Sequence, residues 1–146
     1  MAAFVKSSII DAPVESVFAF HERADALELL TPRFPPAHLI HRTGKGLEPG
    51  STVALKVGFS KWIALHTEYE RNRLFADTQI EGPFAKWVHR HEFESVDGRT
   101  RLTDRIEYEL PGGPLVTGCL GWAVNIALNR MFNHRHRITV QYCHQP

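Results

Sequence analysis

The dipeptide Asp97-Gly98 lies between two segments in which apolar and polar residues alternate, AKWVHRHEFESV before it and RTRLTDRIEYEL after it. Asp-Gly in that setting specifies a two-residue hairpin, because both positions accept the positive φ that a type I′ turn requires. A two-residue loop puts Val96 opposite Arg99, and the register then follows by counting. Trp87 faces Tyr108, His89 faces Ile106, His91 faces Asp104 and Phe93 faces Leu102. Side chains alternate across a strand, so this set shares one face of the sheet. Lys86, Arg90, Glu92, Glu94, Arg101, Thr103, Arg105, Glu107 and Glu109 fall on the other, which reads as solvated. The first face is apolar except for two histidines and an aspartate, the pattern of a polar patch inside an apolar cavity.

Around this hairpin the chain alternates between strand and helix signals. Phe4–Ile10 reads as a first strand, and Asp11-Ala12-Pro13 then offers an acidic cap and a first-turn proline for a helix carrying Val14, Val17, Phe18 and His21 inward. A second short helix begins at Asp25 and stops where Thr31-Pro32 opens the proline-rich loop TPRFPP, which is expected to form a rim or lid that includes Phe34. Strand patterns follow over 37–42, 51–59, 62–70, 75–80, 85–95 and 99–110, separated by turn chemistry at 44–50, Ser60-Lys61, 71–73, Gly82-Pro83 and Asp97-Gly98. Short breaks favour antiparallel neighbours. After Pro111-Gly112-Gly113-Pro114, a long helical pattern from Leu115 to Tyr142 places Leu120, Val124, Ala127, Met131, Arg135 and Ile138 on one face. This order predicts an α+β fold: a curved antiparallel sheet of about seven strands around a long C-terminal helix, with two short helices after the first strand. Such a fold leaves an elongated space between sheet and helix, suited to a small apolar ligand.

At 146 residues the chain fits one domain, 1–146, with room for a sizeable core. A formal charge of +1 gives no electrostatic footprint for nucleic acid or an anionic membrane. Cys119 and Cys143 suit neither a disulfide framework nor a zinc knuckle and read as free thiols of a reducing compartment. The N-terminal MAAFVKSSIID lacks the apolar core of a signal peptide, so a cytoplasmic location is expected. Leu115–Leu128, the longest apolar stretch, falls short of the roughly 20 residues that cross a bilayer, so no transmembrane segment is expected.

The element order, together with VFAFHERADALELLTPRFPP, WIALHTEYERNRLFADTQIEGPFAKWVHRHEF, TRLTDRIEYELP and RMFNHRHRIT, resembles the START-like, or SRPBCC, superfamily with its Bet v 1 helix-grip fold. Within it the segments are similar to a bacterial subgroup related to polyketide cyclase/dehydrase and CoxG-like proteins. That subgroup includes the N-terminal domain of epimerase-fused proteins labelled cell-division inhibitors. The resemblance implies the helix-grip fold and, first, binding of a small hydrophobic or amphipathic ligand such as a lipid. A polyketide cyclase/dehydrase-like enzyme, and an interaction module for a separately encoded epimerase-like partner, are the alternatives it leaves open. With the sequence ending at Pro146 no epimerase domain is expected, and since no GxGxxG follows a strand, neither a nucleotide nor any other cofactor is expected.

Trp62, Trp87 and Tyr108, with Trp122, are the candidate aromatic walls of the cavity, and Phe93 and Ile106 share the inward hairpin face. His21, His66, Leu120, Val124 and Met131 complete the expected lining. His89 and His91 could ligate a metal, with His66 or Asp104 completing the set. Without a cysteine ligand or HExxH spacing they read instead as partnered cavity histidines, and no metal site is assigned. His91 with Asp104 is the candidate acid–base pair, a carboxylate orienting an imidazole. A hydrogen-bonded pair that holds structure or orients a ligand requires the same partners and is the preferred reading. His134 and His136 diverge on the helix, and His38 and His41 lie on opposite faces of a regular strand.

Overall fold

The computed structural model describes residues 1–33 and 36–144. In chain order these form β1 (Ala2–Ile10), α1 (Val14–Glu22), α2 (Ala26–Leu30), β2 (Ala37–Thr43), β3 (Thr52–Val57), β4 (Ser60–Glu70), β5 (Leu74–Glu81), β6 (Lys86–Val96), β7 (Arg99–Glu109) and α3 (Pro114–Cys143). The strands make one sheet in the order β1-β7-β6-β5-β4-β3-β2. Every neighbouring pair is antiparallel. This is the α+β helix-grip architecture expected from the sequence.

Asp97 and Gly98 have φ of 51° and 78°, the two positive values of a type I′ turn. The β6–β7 register is accordingly the one obtained by counting, with Trp87 on Tyr108, His89 on Ile106, His91 on Asp104 and Phe93 on Leu102. On the outer face Arg105 reaches Glu92 at 2.9 Å and Arg101 reaches Glu94 at 2.8 Å. These exposed pairs each contribute well under about 1 kcal/mol. The break expected at Ser60-Lys61 falls at Gly58-Phe59 instead, where Gly58 supplies a φ of 58° and Phe59 projects into solvent. Pro13 rather than Asp11 occupies the N-cap of α1, and no side chain caps that helix. His38 and His41 are both exposed, since β2 shifts register between Leu39 and His41.

α3 begins at Pro114, whose ring suits a first helical turn. The Thr117 hydroxyl in that turn accepts the Leu110 N–H at 2.9 Å, tying the helix start to the end of β7. Thr117, Gly121, Leu128, Phe132, His136, Thr139 and Cys143 form its buried stripe. That stripe is rotated by one residue from Leu120, Val124, Ala127, Met131, Arg135 and Ile138. Hydrophobicity misplaces it because small and polar groups make the contact: the Tyr108 hydroxyl sits 3.0 Å from the Gly121 carbonyl and 2.7 Å from Asn125 Oδ1. Leu120 is consequently 51% exposed and Trp122 67% exposed. α3 packs against β1 and β7 of the sheet and against α1 and α2, and its Phe132 reaches His89 of β6 with ring centroids 5.2 Å apart.

Two apolar clusters make the core. One gathers Ile10, Val17, Phe18, Leu30, Phe75, Phe93 and Leu102 under α1 and α2. The other gathers Phe4, Trp87, Ile106, Tyr108, Leu128 and Phe132 under α3. Both free cysteines, exposed Cys119 and buried Cys143, lie on α3. Among the described residues no helix is long and apolar enough to cross a membrane.

Candidate functional site

Along β6 and β7 the two core clusters are separated by His89, His91 and Asp104. Asp104 is 3% exposed and meets three imidazoles: His89 Nε2 and His91 Nδ1 at 2.8 Å on Oδ1, and His136 Nε2 at 2.6 Å on Oδ2. A carboxylate only accepts, so His89 Nε2 and His136 Nε2, which hydrogen-bond to it, carry protons, and His91 Nδ1 makes a close ionic contact. Ser8 Oγ lies 2.6 Å from His136 Nδ1 and fixes that ring from the far side. Asp104 therefore links β6, β7 and α3 directly, and β1 through Ser8.

The surroundings divide the charge unevenly. Burial opposes ionisation of Asp104, but the charge of His91 and the hydrogen bonds from the three rings outweigh it and hold the carboxyl well below its usual range. For His91, burial works against the cation, and the combined pull of Asp104 and Asp77 overcomes it, raising the pKa. His89 is driven the other way by burial and by the His91 charge. Burial likewise lowers His66, and takes His21 down to about 4. The Asp104 carboxylate, the favoured His91 imidazolium and rings whose burial disfavours the cation thus share a small volume.

A cavity of about 270 Å³ opens between this layer, α2 and α3. Its walls are Leu27, Leu30, Val53, Leu55, Val57, Trp62, Ala64, Phe84, Trp87, Leu128 and Phe132. A polar stripe crosses its floor, since His66 pairs with Asp77 and Asp77 pairs with His89 across β4, β5 and β6. His91 stacks on Phe75 beside them, with centroids 4.0 Å apart, and its Nε2 is 3.6 Å from Asp77 Oδ2. Despite its burial, Asp77 is held ionised by the neighbouring imidazoles. Asp77, His89 and His91 each offer a ligand atom within 4.8 Å of the others. A divalent ion could use such a set, with Asp104 bracing both rings from behind. Arg135 completes the lining from α3.

Of the residues expected at the cavity, His21, Trp62, His66, Trp87, His89, His91 and Met131 line it. Phe93, Ile106 and Tyr108 point the same way but are packed into the two core clusters. Asp104 sits behind the histidines and borders only a minor void. Val124 is partly buried against the second core cluster, and Leu120 and Trp122 face outward. Phe34 lies outside the described residues, although Thr31 and Pro32 of its loop line the cavity. Sequence reasoning places Arg135 on the expected inward face of the helix without giving it a role, and misses Asp77 and the role of His136. A charged residue in FADTQI at an apolar-face position was the available signal for Asp77.

A family model described as polyketide cyclase / dehydrase and lipid transport matches residues 10–135. A sequence search of curated proteins finds no match. Among solved structures, part of a nucleoside-diphosphate sugar epimerase from Corynebacterium glutamicum is 27% identical, with a TM-score of 0.73 over 94% of this chain and 28% of that one. A protein from Thermus thermophilus is 16% identical, with a TM-score of 0.72 and 97% of each chain covered. A START superfamily protein from Mycobacterium smegmatis is 14% identical, with a TM-score of 0.67 over 97% of this chain and 96% of that one. The latter two share the fold.

Proposed function

Because this chain belongs to the polyketide cyclase / dehydrase and lipid transport family, we propose that it binds a small molecule with an apolar body and a polar group in the cavity between sheet and α3. The carrying observation is the cavity itself: about 270 Å³ walled by aliphatic and aromatic side chains and crossed by one stripe of polar groups. Removing about 200 Å² of apolar ligand surface from water contributes roughly 5 kcal/mol, and the stripe supplies orientation. In this reading Trp62, Phe84 and Trp87 hold the apolar body. His91 faces the polar group from the stripe, and Asp104 positions His91 without touching the ligand.

Acid–base catalysis is a second reading, favoured by one distance. Asp77 Oδ2 and His91 Nε2 lie 3.6 Å apart inside the cavity, so the pair able to exchange a proton with a ligand is His91 with Asp77 rather than with Asp104.

Binding is tested with the neutral fluorophore N-phenyl-1-naphthylamine, followed by its emission and by quenching of Trp62 and Trp87. Saturable one-site binding is expected, weakened about tenfold or more by Ala64→Phe, which fills the cavity while circular dichroism stays unchanged. Non-saturable emission, or equal binding by the folded variant, overturns the proposal.

A further inference from the structure

Arg135 projects from α3 into the cavity wall and borders the minor void beside Asp104 as well. Its Nε is buried and has no hydrogen-bond partner. Its guanidinium lies 5.3 Å from the centroid of the Phe132 ring, a contact that gives Nε no acceptor. The nearby carboxylates are taken: Asp104 by His89, His91 and His136, and Asp77 by His91. The other arginines of the lining are differently placed, since Arg23 forms an ion pair with Asp25 at 2.7 Å and Arg42 donates to the Ala24 carbonyl at 3.2 Å. Arg135 as a whole is only half-buried, but a buried N–H without an acceptor is costly, and a native fold retains one where something else supplies the acceptor.

We infer that the cavity selects an acid, an apolar-bodied molecule whose carboxylate is received by Arg135. The inference rests on the ligand-binding reading above and names its chemical class. A planar, permanently charged fork matches a carboxylate with two parallel hydrogen bonds, which neither an alcohol nor an amine can accept. Burial also lowers the pKa of Arg135, a penalty that a bound anion would relieve.

The test displaces N-phenyl-1-naphthylamine with decanoate, decanol and decylamine, in the parent, in Arg135→Gln and in Arg135→Lys. In the parent, decanoate is expected to bind more than about tenfold tighter than decanol, with decylamine weakest. Arg135→Gln should abolish that preference while decanol affinity stays within about twofold, and Arg135→Lys should retain part of it. The neutral ligand controls for folding, because a merely structural Arg135 would move all three affinities together. Equal decanoate and decanol affinities in the parent, or a preference that survives Arg135→Gln, overturn the assignment of the acid and leave the cavity reading standing. Displacement by none of the three, with the fluorophore itself failing to saturate, overturns both.

Discussion

Asp104 serves three imidazoles with two oxygens, and that count decides what its removal does. Asp104→Asn replaces one acceptor with an amide that presents protons to rings already presenting theirs. Such a change should cost on the order of 3 kcal/mol in urea unfolding, as breaking a buried charged network does. It should also lower the His91 ring pKa read by NMR, and an unchanged titration would show the two groups to be uncoupled. The pH profile follows from the same shifts. His91 has a raised folded pKa, so its stabilisation is complete below an unfolded value of about 6.5 and is lost as pH rises through the folded value. His21, lowered to about 4, acts in the opposite sense, and its contribution is lost as pH falls from about 6.5 toward that value. Asp104 itself stabilises above about 3.9, a contribution lost only as pH falls through its lower folded pKa. Stability of the parent should therefore decline on both sides of about pH 6.5, and Asp104→Asn should flatten the alkaline side.

At the level of elements, a two-residue loop transmits its register to every pair behind it. Gly98 at φ 78° admits alanine only with strain, so Gly98→Ala should destabilise by about 1 kcal/mol in the same unfolding assay. No loss would mean that the turn relaxes without disturbing the pairing. This dependence on loop length also explains what could be read from the sequence. His89, His91 and Asp104 were placed together because Asp97-Gly98 allows the register to be counted. Asp77 was not, because β4 and β5 shift register between Ile63 and Ala64 and again between His66 and Glu68, and the longer connection around Gly82-Pro83 fixes no count to β6. On α3 the apolar pattern fell one residue from the buried stripe. His136 meets a carboxylate and Gly121 a hydroxyl, contacts that no hydrophobic period encodes.

For the molecule as a whole, the inward residues of β6 and β7 are buried at alternate positions, whereas β2, β3 and β4 are mostly half-buried or exposed. The difference follows from α3, which backs the β1–β7 side and leaves the cavity as the inner layer of the other side. If the cavity binds a ligand as proposed, that ligand completes the inner layer of this half of the sheet. Amide hydrogens of β2–β4 should exchange with deuterium through local opening well before those of β6 and β7. Saturating decanoate should slow the first group selectively, and uniform slowing across all strands would argue against this division. Occupancy would then be sensed as a stiffening of one edge of the sheet, so that a loaded and an empty molecule differ in how long their β2–β4 edge stays closed to water or to a protease.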